Sequence, residues 1–128
     1  MLKKTITLLV LAGLISACST AASSSLQTTE PGRSIEARSG EQFTIVIEAN
    51  PTTGYHWEMV GEADQGIVTL ISRDYQAGGT QMPGSGGVDV WTFKAVGAGQ
   101  TTITLGYYPP GNATSEPART ETFSVVVK

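Results

Sequence analysis

Phe43-Thr44-Ile45-Val46-Ile47-Glu48-Ala49 runs into Asn50-Pro51-Thr52-Thr53-Gly54, and Tyr55-His56-Trp57-Glu58-Met59 follows. The two outer runs alternate apolar and polar residues. Phe43, Ile45, Ile47 and Ala49 share one face of the first, and Tyr55, Trp57 and Met59 share one face of the second. A period of two is the mark of a half-buried β-strand. Between them, Asn-Pro favours turn initiation, Pro51 fixes its own φ, and Gly54 supplies the positive φ that closes a tight loop. The result is a short, stiff loop between two strands with two hydroxyl side chains at its tip. A simple turn needs less.

The same alternation extends outward along the chain. Strands are expected at 34–38, 42–49, 55–60, 67–72, 88–96, 101–108 and 120–128. Trp91, Phe93 and Ala95 face inward on the fifth, Ile103, Leu105 and Tyr107 on the sixth, and Phe123, Val125 and Val127 on the seventh. Both alternating sets of 67–72 contain apolar residues, so its facing stays open. No ten-residue stretch after the N-terminal segment has helical periodicity, and about seven short strands separated by turn signals indicate an all-β antiparallel sandwich. Trp57, Trp91, Phe43, Phe93 and Phe123 are its expected large core groups. In such a sandwich, even-to-odd connections emerge at one end. That end therefore gathers three long loops, 50–54, 76–87 and 109–118, while the plain turns at 39–41, 61–66 and 97–100 take the other. Loops elaborated at one end of a rigid scaffold indicate a binding edge.

The N-terminal residues read differently. Lys3 and Lys4 followed by the apolar stretch 5–15 form a secretory signal over 1–17. The apolar stretch is shorter than the roughly 20 residues a membrane-spanning helix needs. Leu14-Ile15-Ser16-Ala17-Cys18 resembles a bacterial lipobox, which implies cleavage before Cys18 and acylation of that cysteine. The alternative is an ordinary signal cut near Ala17 that leaves a free thiol. Residues 18–32, rich in Ser, Thr and Ala, are expected to be a flexible tether, and 33–128 one domain. The expected location is exported and lipid-anchored to a bacterial membrane, at the outer membrane or periplasmic face rather than the inner one, with Ser19 after the cysteine.

Composition narrows the function classes. Cys18 is the one cysteine, so the domain is held by its core and not by an internal disulfide. The formal net charge is −3, and −5 once Lys3 and Lys4 are removed. No basic patch suits a nucleic acid. Glu36, Glu41, Glu48, Glu58, Glu62, Asp64, Asp74 and Asp89 fall singly and read as a solvated surface. Catalysis has no candidate set. His56 is the one histidine and points outward by alternation, and the serines lack a nucleophile-elbow pattern. No spacing suits a metal. Gly84-Ser85-Gly86-Gly87 lacks the lysine and following helix of a phosphate cradle. Asn112-Ala113-Thr114 matches a glycosylation sequon, a coincidence behind a bacterial lipobox. The expectation is a monomeric binding protein without cofactor or metal, not an enzyme.

Asn50-Pro51-Thr52-Thr53-Gly54-Tyr55-His56-Trp57, with Gly84-Ser85-Gly86-Gly87 ahead of Val90-Trp91-Thr92-Phe93, resembles the chagasin-type inhibitors of papain-like cysteine peptidases. The resemblance spans residues 35–127. It implies an immunoglobulin-like fold and tight, reversible occlusion of a peptidase's cleft. The peptidase-binding set it implies is Asn50, Pro51, Thr52, Thr53, Gly54 and Tyr55 at the tip, Gly84, Ser85, Gly86 and Gly87 along one wall, and Tyr108, Pro109 and Pro110 on the other side. One departure stands out. The family's third loop usually carries Arg-Pro-Trp, whereas this chain has Pro109-Pro110-Gly111 after Tyr107-Tyr108. Arg and Trp are frequent interface anchors, so their loss implies weaker or narrower inhibition. The alternative function is a membrane-tethered binding or structural lipoprotein that keeps the fold without the inhibition.

Overall fold

A computed structural model of the protein describes residues 27–78, 84–111 and 116–128. The segment expected to be a secretory signal, Cys18, the sequon and parts of the second and third loops lie outside the described residues. Seven strands follow in order: β1 (Ile35–Ala37), β2 (Gln42–Ala49), β3 (His56–Met59), β4 (Val68–Ala77), β5 (Gly87–Ala95), β6 (Gly99–Tyr108) and β7 (Arg119–Val127). They form two sheets, β1-β7-β6-β3 and β2-β5-β4, antiparallel throughout except for the β1–β7 pair.

The alternating residues meet as the period demands. Phe43 lies opposite Phe93 and Ile45 opposite Trp91 in one sheet, and Ile103 lies opposite Phe123 in the other. The inner faces close over Trp57, Phe93, Phe123, Ile45, Ile103 and Leu105, all buried almost completely. Each such burial contributes roughly 1.5–3 kcal/mol. Phe43, expected in the core, is half-buried and stacks on Phe93 with ring centroids 5.6 Å apart. Trp57 satisfies its indole by donating from Nε1 to the Glu48 carbonyl at 2.8 Å.

The open facing of the fourth strand has a physical cause. β4 is bulged between Leu70 and Ser72, which leaves Ile71 unpaired with β5 and resets the alternation. Val68 and Leu70 therefore pair with Ala95 and Phe93, and beyond the bulge Arg73 and Tyr75 pair with Trp91 and Asp89. This corrects the reading of Asp89 as surface. Asp89 is only 4% exposed, and its Oδ2 lies 3.1 Å from Arg73 Nη2. Arg73 also reaches Glu58 of β3 at 3.5 Å and lies over the Trp91 ring at 4.6 Å, tying the edges of the two sheets together.

The opposite edge is closed by the stretch expected to be tether. Thr29 N–H donates to the Val46 carbonyl at 2.8 Å, and Val46 N–H donates to Thr29 Oγ1 at 3.0 Å. These bonds cover backbone groups that an edge strand otherwise leaves open to a second chain.

Candidate functional site

Asn50 organises the tip. Residues Pro51–Thr53 form a single 3-10 turn with Asn50 at its N-cap and Gly54 at its C-cap, φ +81°. Asn50 Oδ1 accepts from Thr52 N–H at 3.3 Å and from the Thr52 hydroxyl at 2.5 Å. The Thr53 hydroxyl donates to the Asn50 carbonyl at 2.7 Å and accepts from Tyr55 N–H at 3.3 Å. Thr53 N–H also donates to that carbonyl, and Gly54 N–H donates to the Pro51 carbonyl at 3.0 Å. Residues 51–54 are all exposed. Every one of these bonds spans three residues or fewer, so the turn is closed by its own sequence.

The three loops meet around this turn. Asn50 Nδ2 donates to the Gly84 carbonyl at 3.1 Å, which joins the first loop to the second. A Cβ at Gly54 would lie 2.8 Å from Pro110 Cβ, so the third loop rests directly against the first. Beneath the tip, Tyr55 stacks on Tyr107 at 5.1 Å, Trp57 contacts Tyr107 at 4.8 Å, and Tyr108 on the outer face stacks on His56 at 6.1 Å. These ring contacts support the tip from β3 and β6. Pro109 is half-buried and Pro110 exposed.

The glycines of the second loop do different work from one another. Gly87 is not in the loop: it opens β5 between Ala49 and Ala77. A Cβ there would sit 2.0 Å from the Gln76 carbonyl oxygen, so its smallness serves strand packing. A Cβ at Gly86 would sit 3.0 Å from the Ala49 carbonyl oxygen and 3.4 Å from Asn50 Cβ, which lets the second loop close on the first. Gly84 has φ +86° and open space on its side-chain face, and it is exposed. Ser85 is half-buried beside it. Of the glycines expected to line a partner, Gly84 is the one that faces outward.

One residue escaped the sequence reading. Arg119 opens β7 opposite Tyr107, and its guanidinium carbon lies 5.0 Å from the Trp57 ring centroid and 5.4 Å from that of Tyr107. It shares the alternating frame of Phe123, Val125 and Val127, an available signal that an arginine occupies an inward position at the loop end. No group of acidic, His or Cys side chains able to hold a metal occurs among the described residues. His56 approaches Glu58 at 3.8 Å, and both are exposed to solvent.

Known proteins are similar to this chain in sequence and in fold. A family model described as "Chagasin family peptidase inhibitor I42" matches residues 36–127. Amoebiasin-2 of Entamoeba histolytica is 31% identical over 84 residues, covering 66% of this chain and 68% of that protein. The crystal structure of the cysteine protease inhibitor EhICP2 from Entamoeba histolytica superposes with a TM-score of 0.62 at 28% identity, over 74% of this chain and 86% of that one. PbICP-C, solved in complex with falcipain-2, superposes with a TM-score of 0.59 at 21% identity, over 80% and 92% of the two chains, a likeness of fold.

Proposed function

This chain belongs to the chagasin family of peptidase inhibitors, and from that premise we propose that it reversibly occludes the catalytic cleft of a papain-like cysteine peptidase. The turn at 50–54 enters the cleft, the loop around Gly84 and Ser85 flanks it on one side, and the loop beginning at Pro109 and Pro110 flanks it on the other. The observation that carries this reading is the contact of all three loops around one exposed, self-closed turn.

The chemistry of the turn explains occlusion without cleavage. A cysteine nucleophile attacks a carbonyl carbon whose oxygen can settle among the donors of an oxyanion hole. The Asn50 and Pro51 carbonyl oxygens already accept bonds from Thr53 and Gly54 within the turn. Opening the turn to present an extended substrate sacrifices those bonds. The Thr52 and Thr53 hydroxyl protons are likewise engaged internally, and the Thr53 oxygen also accepts from Tyr55 N–H, so the tip enters the cleft with its hydroxyls already committed to the turn. Preorganisation then acts on affinity: a loop already ordered before binding loses little conformational entropy on association. A three-loop edge is of a size to reach the standard inhibitor footprint of roughly 1,600 Å².

The N-terminal segment extends the proposal: acylation of Cys18 holds the domain on a bacterial membrane at its periplasmic or outer-membrane face. Radiolabelled fatty acid incorporated by the full chain and lost in Cys18→Ser supports that anchor, and equal labelling contradicts it. The inhibitory mechanism is tested with Thr52→Ala/Thr53→Ala. The double variant should fold as the parent does and lose most of its inhibition of papain. Undiminished inhibition contradicts a plug at this turn.

A further inference from the structure

The described cations divide by partner and by position. Arg33 pairs with Glu30 at 3.3 Å, Arg73 with Asp89 and Glu58, and Lys128 with Glu36 at 3.8 Å. Arg38 and Lys94 have no carboxylate in an ion pair among the described residues, but both stand toward the plain-turn end. Arg38 follows β1, and Lys94 lies opposite Gln42 and Thr69. Arg119 is different. It too lacks a carboxylate partner among the described residues, and it stands at the loop end, exposed, in a groove of about 760 Å³ that also takes in Asn50, Tyr55 and Tyr107.

The rings hold that cation where a partner of the tip meets it. Tyr55 directly follows the tip's Gly54 and stacks on Tyr107, and Tyr107 in turn lies under Arg119. Trp57, fully buried, gives the guanidinium a second ring. A guanidinium attracted to ring faces keeps its N–H edge for an acceptor, and its fork geometry matches a carboxylate in a bidentate pair. Cation and rings are the two residue classes that the third loop lacks at 109–111, and here they come from the adjoining strand ends.

We infer that Arg119 is a specificity-determining contact of the inhibitory edge, which receives a carboxylate from the rim of the peptidase's cleft. The inference rests on the reading of this edge as peptidase-binding. The protein carries a net charge of −3, so attraction for an acidic rim comes from this local cation and not from the domain as a whole. Glu48 lines the same groove and repels a carboxylate that strays from the guanidinium, which narrows the positions accepted.

Arg119→Gln and Arg119→Lys, made in the full chain with Cys18→Ser, test this against papain at low and raised salt, with melting temperature measured alongside. The glutamine variant should inhibit about ten-fold more weakly and lose part of the salt dependence. Its melting temperature should fall by no more than about 5 °C, the scale of one exposed cation–ring contact. The lysine variant should retain the salt dependence. A glutamine variant with the parent's inhibition constant and salt dependence overturns the inference. So does weakening with the salt dependence unchanged, which is the signature of a purely structural cover over Trp57. A parent chain that does not inhibit at all removes the functional reading itself, and this inference with it.

Discussion

Asn50→Ala and Asn50→Asp separate two jobs that one side chain performs. As acceptor, Asn50 Oδ1 caps the turn through Thr52; as donor, its Nδ2 holds the Gly84 carbonyl. Alanine removes both. Loss of such a cap destabilises a domain by about 1 kcal/mol, a fall of about 4–8 °C in melting temperature for a domain of this size. The larger effect falls on binding. Fixing one backbone residue costs about 1–2 kcal/mol, so re-ordering Thr52 and Thr53 in the complex costs about 2–4 kcal/mol. Pro51 still restrains the turn, so the lower figure applies, about 2 kcal/mol or some 30-fold in the inhibition constant. Aspartate keeps the acceptor, loses the donor, and sets a carboxylate beside the Gly84 carbonyl. Loss of one hydrogen bond of about 1 kcal/mol corresponds to about five-fold. Inhibition constants from progress curves with papain, with a melting curve for each variant, read both effects. A folded alanine variant within about three-fold of the parent, or an aspartate variant weaker than the alanine one, refutes preorganisation by Asn50.

Other perturbations follow from the same geometry. Gly54→Ala forces a left-handed residue, about 1–2 kcal/mol, and drives a Cβ into Pro110; it should weaken inhibition more than it lowers the melting temperature, and parity with the parent in both contradicts the loop contact. Arg73→Ala leaves Asp89 buried without its cation. Breaking a buried pair costs roughly 3–5 kcal/mol, and because the Arg73 side chain is 32% exposed the lower figure, about 3 kcal/mol in urea unfolding, is expected. Thr29→Pro removes both the N–H that donates to the Val46 carbonyl and the Oγ1 that accepts from Val46 N–H; at about 1 kcal/mol for each bond it should lower stability by about 2 kcal/mol, with hydrogen exchange at the Val46 amide accelerated, and an unchanged exchange rate contradicts the edge cover.

Much of the fold was legible because period-two alternation reports the core-facing side, which β2, β5, β6 and β7 each keep along their length, even though Val46 and Val90 are buried on the other side. β4 was not, because a single extra residue at Ile71 flips the facing midway. The residues beyond it, Arg73 and Tyr75, share the side of Trp91 and Asp89 at the exposed edge of the sheet, where alternation alone has no reason to put them. Asp89 looked like surface because an isolated carboxylate usually is, and its cation lies across the sheet rather than nearby in sequence. At the site, Asn50 to Gly54 could be read directly, since the bonds that close the turn are local. Gly87 could not be told from a loop glycine, because the Gln76 carbonyl that demands it is on another strand. Arg119 was hidden for a related reason: a charged residue at a strand's start reads as solvated, and the rings beneath it come from β3 and β6.

Protection of the peptidase's catalytic cysteine is the most direct test of occlusion by the tip. Papain is titrated with the chain carrying Cys18→Ser, and the rate of labelling by a covalent active-site inactivator is followed. Occlusion by the 50–54 turn predicts that labelling stops at one equivalent of inhibitor and resumes on dilution. Labelling at an unchanged rate in saturating excess of the folded protein contradicts it.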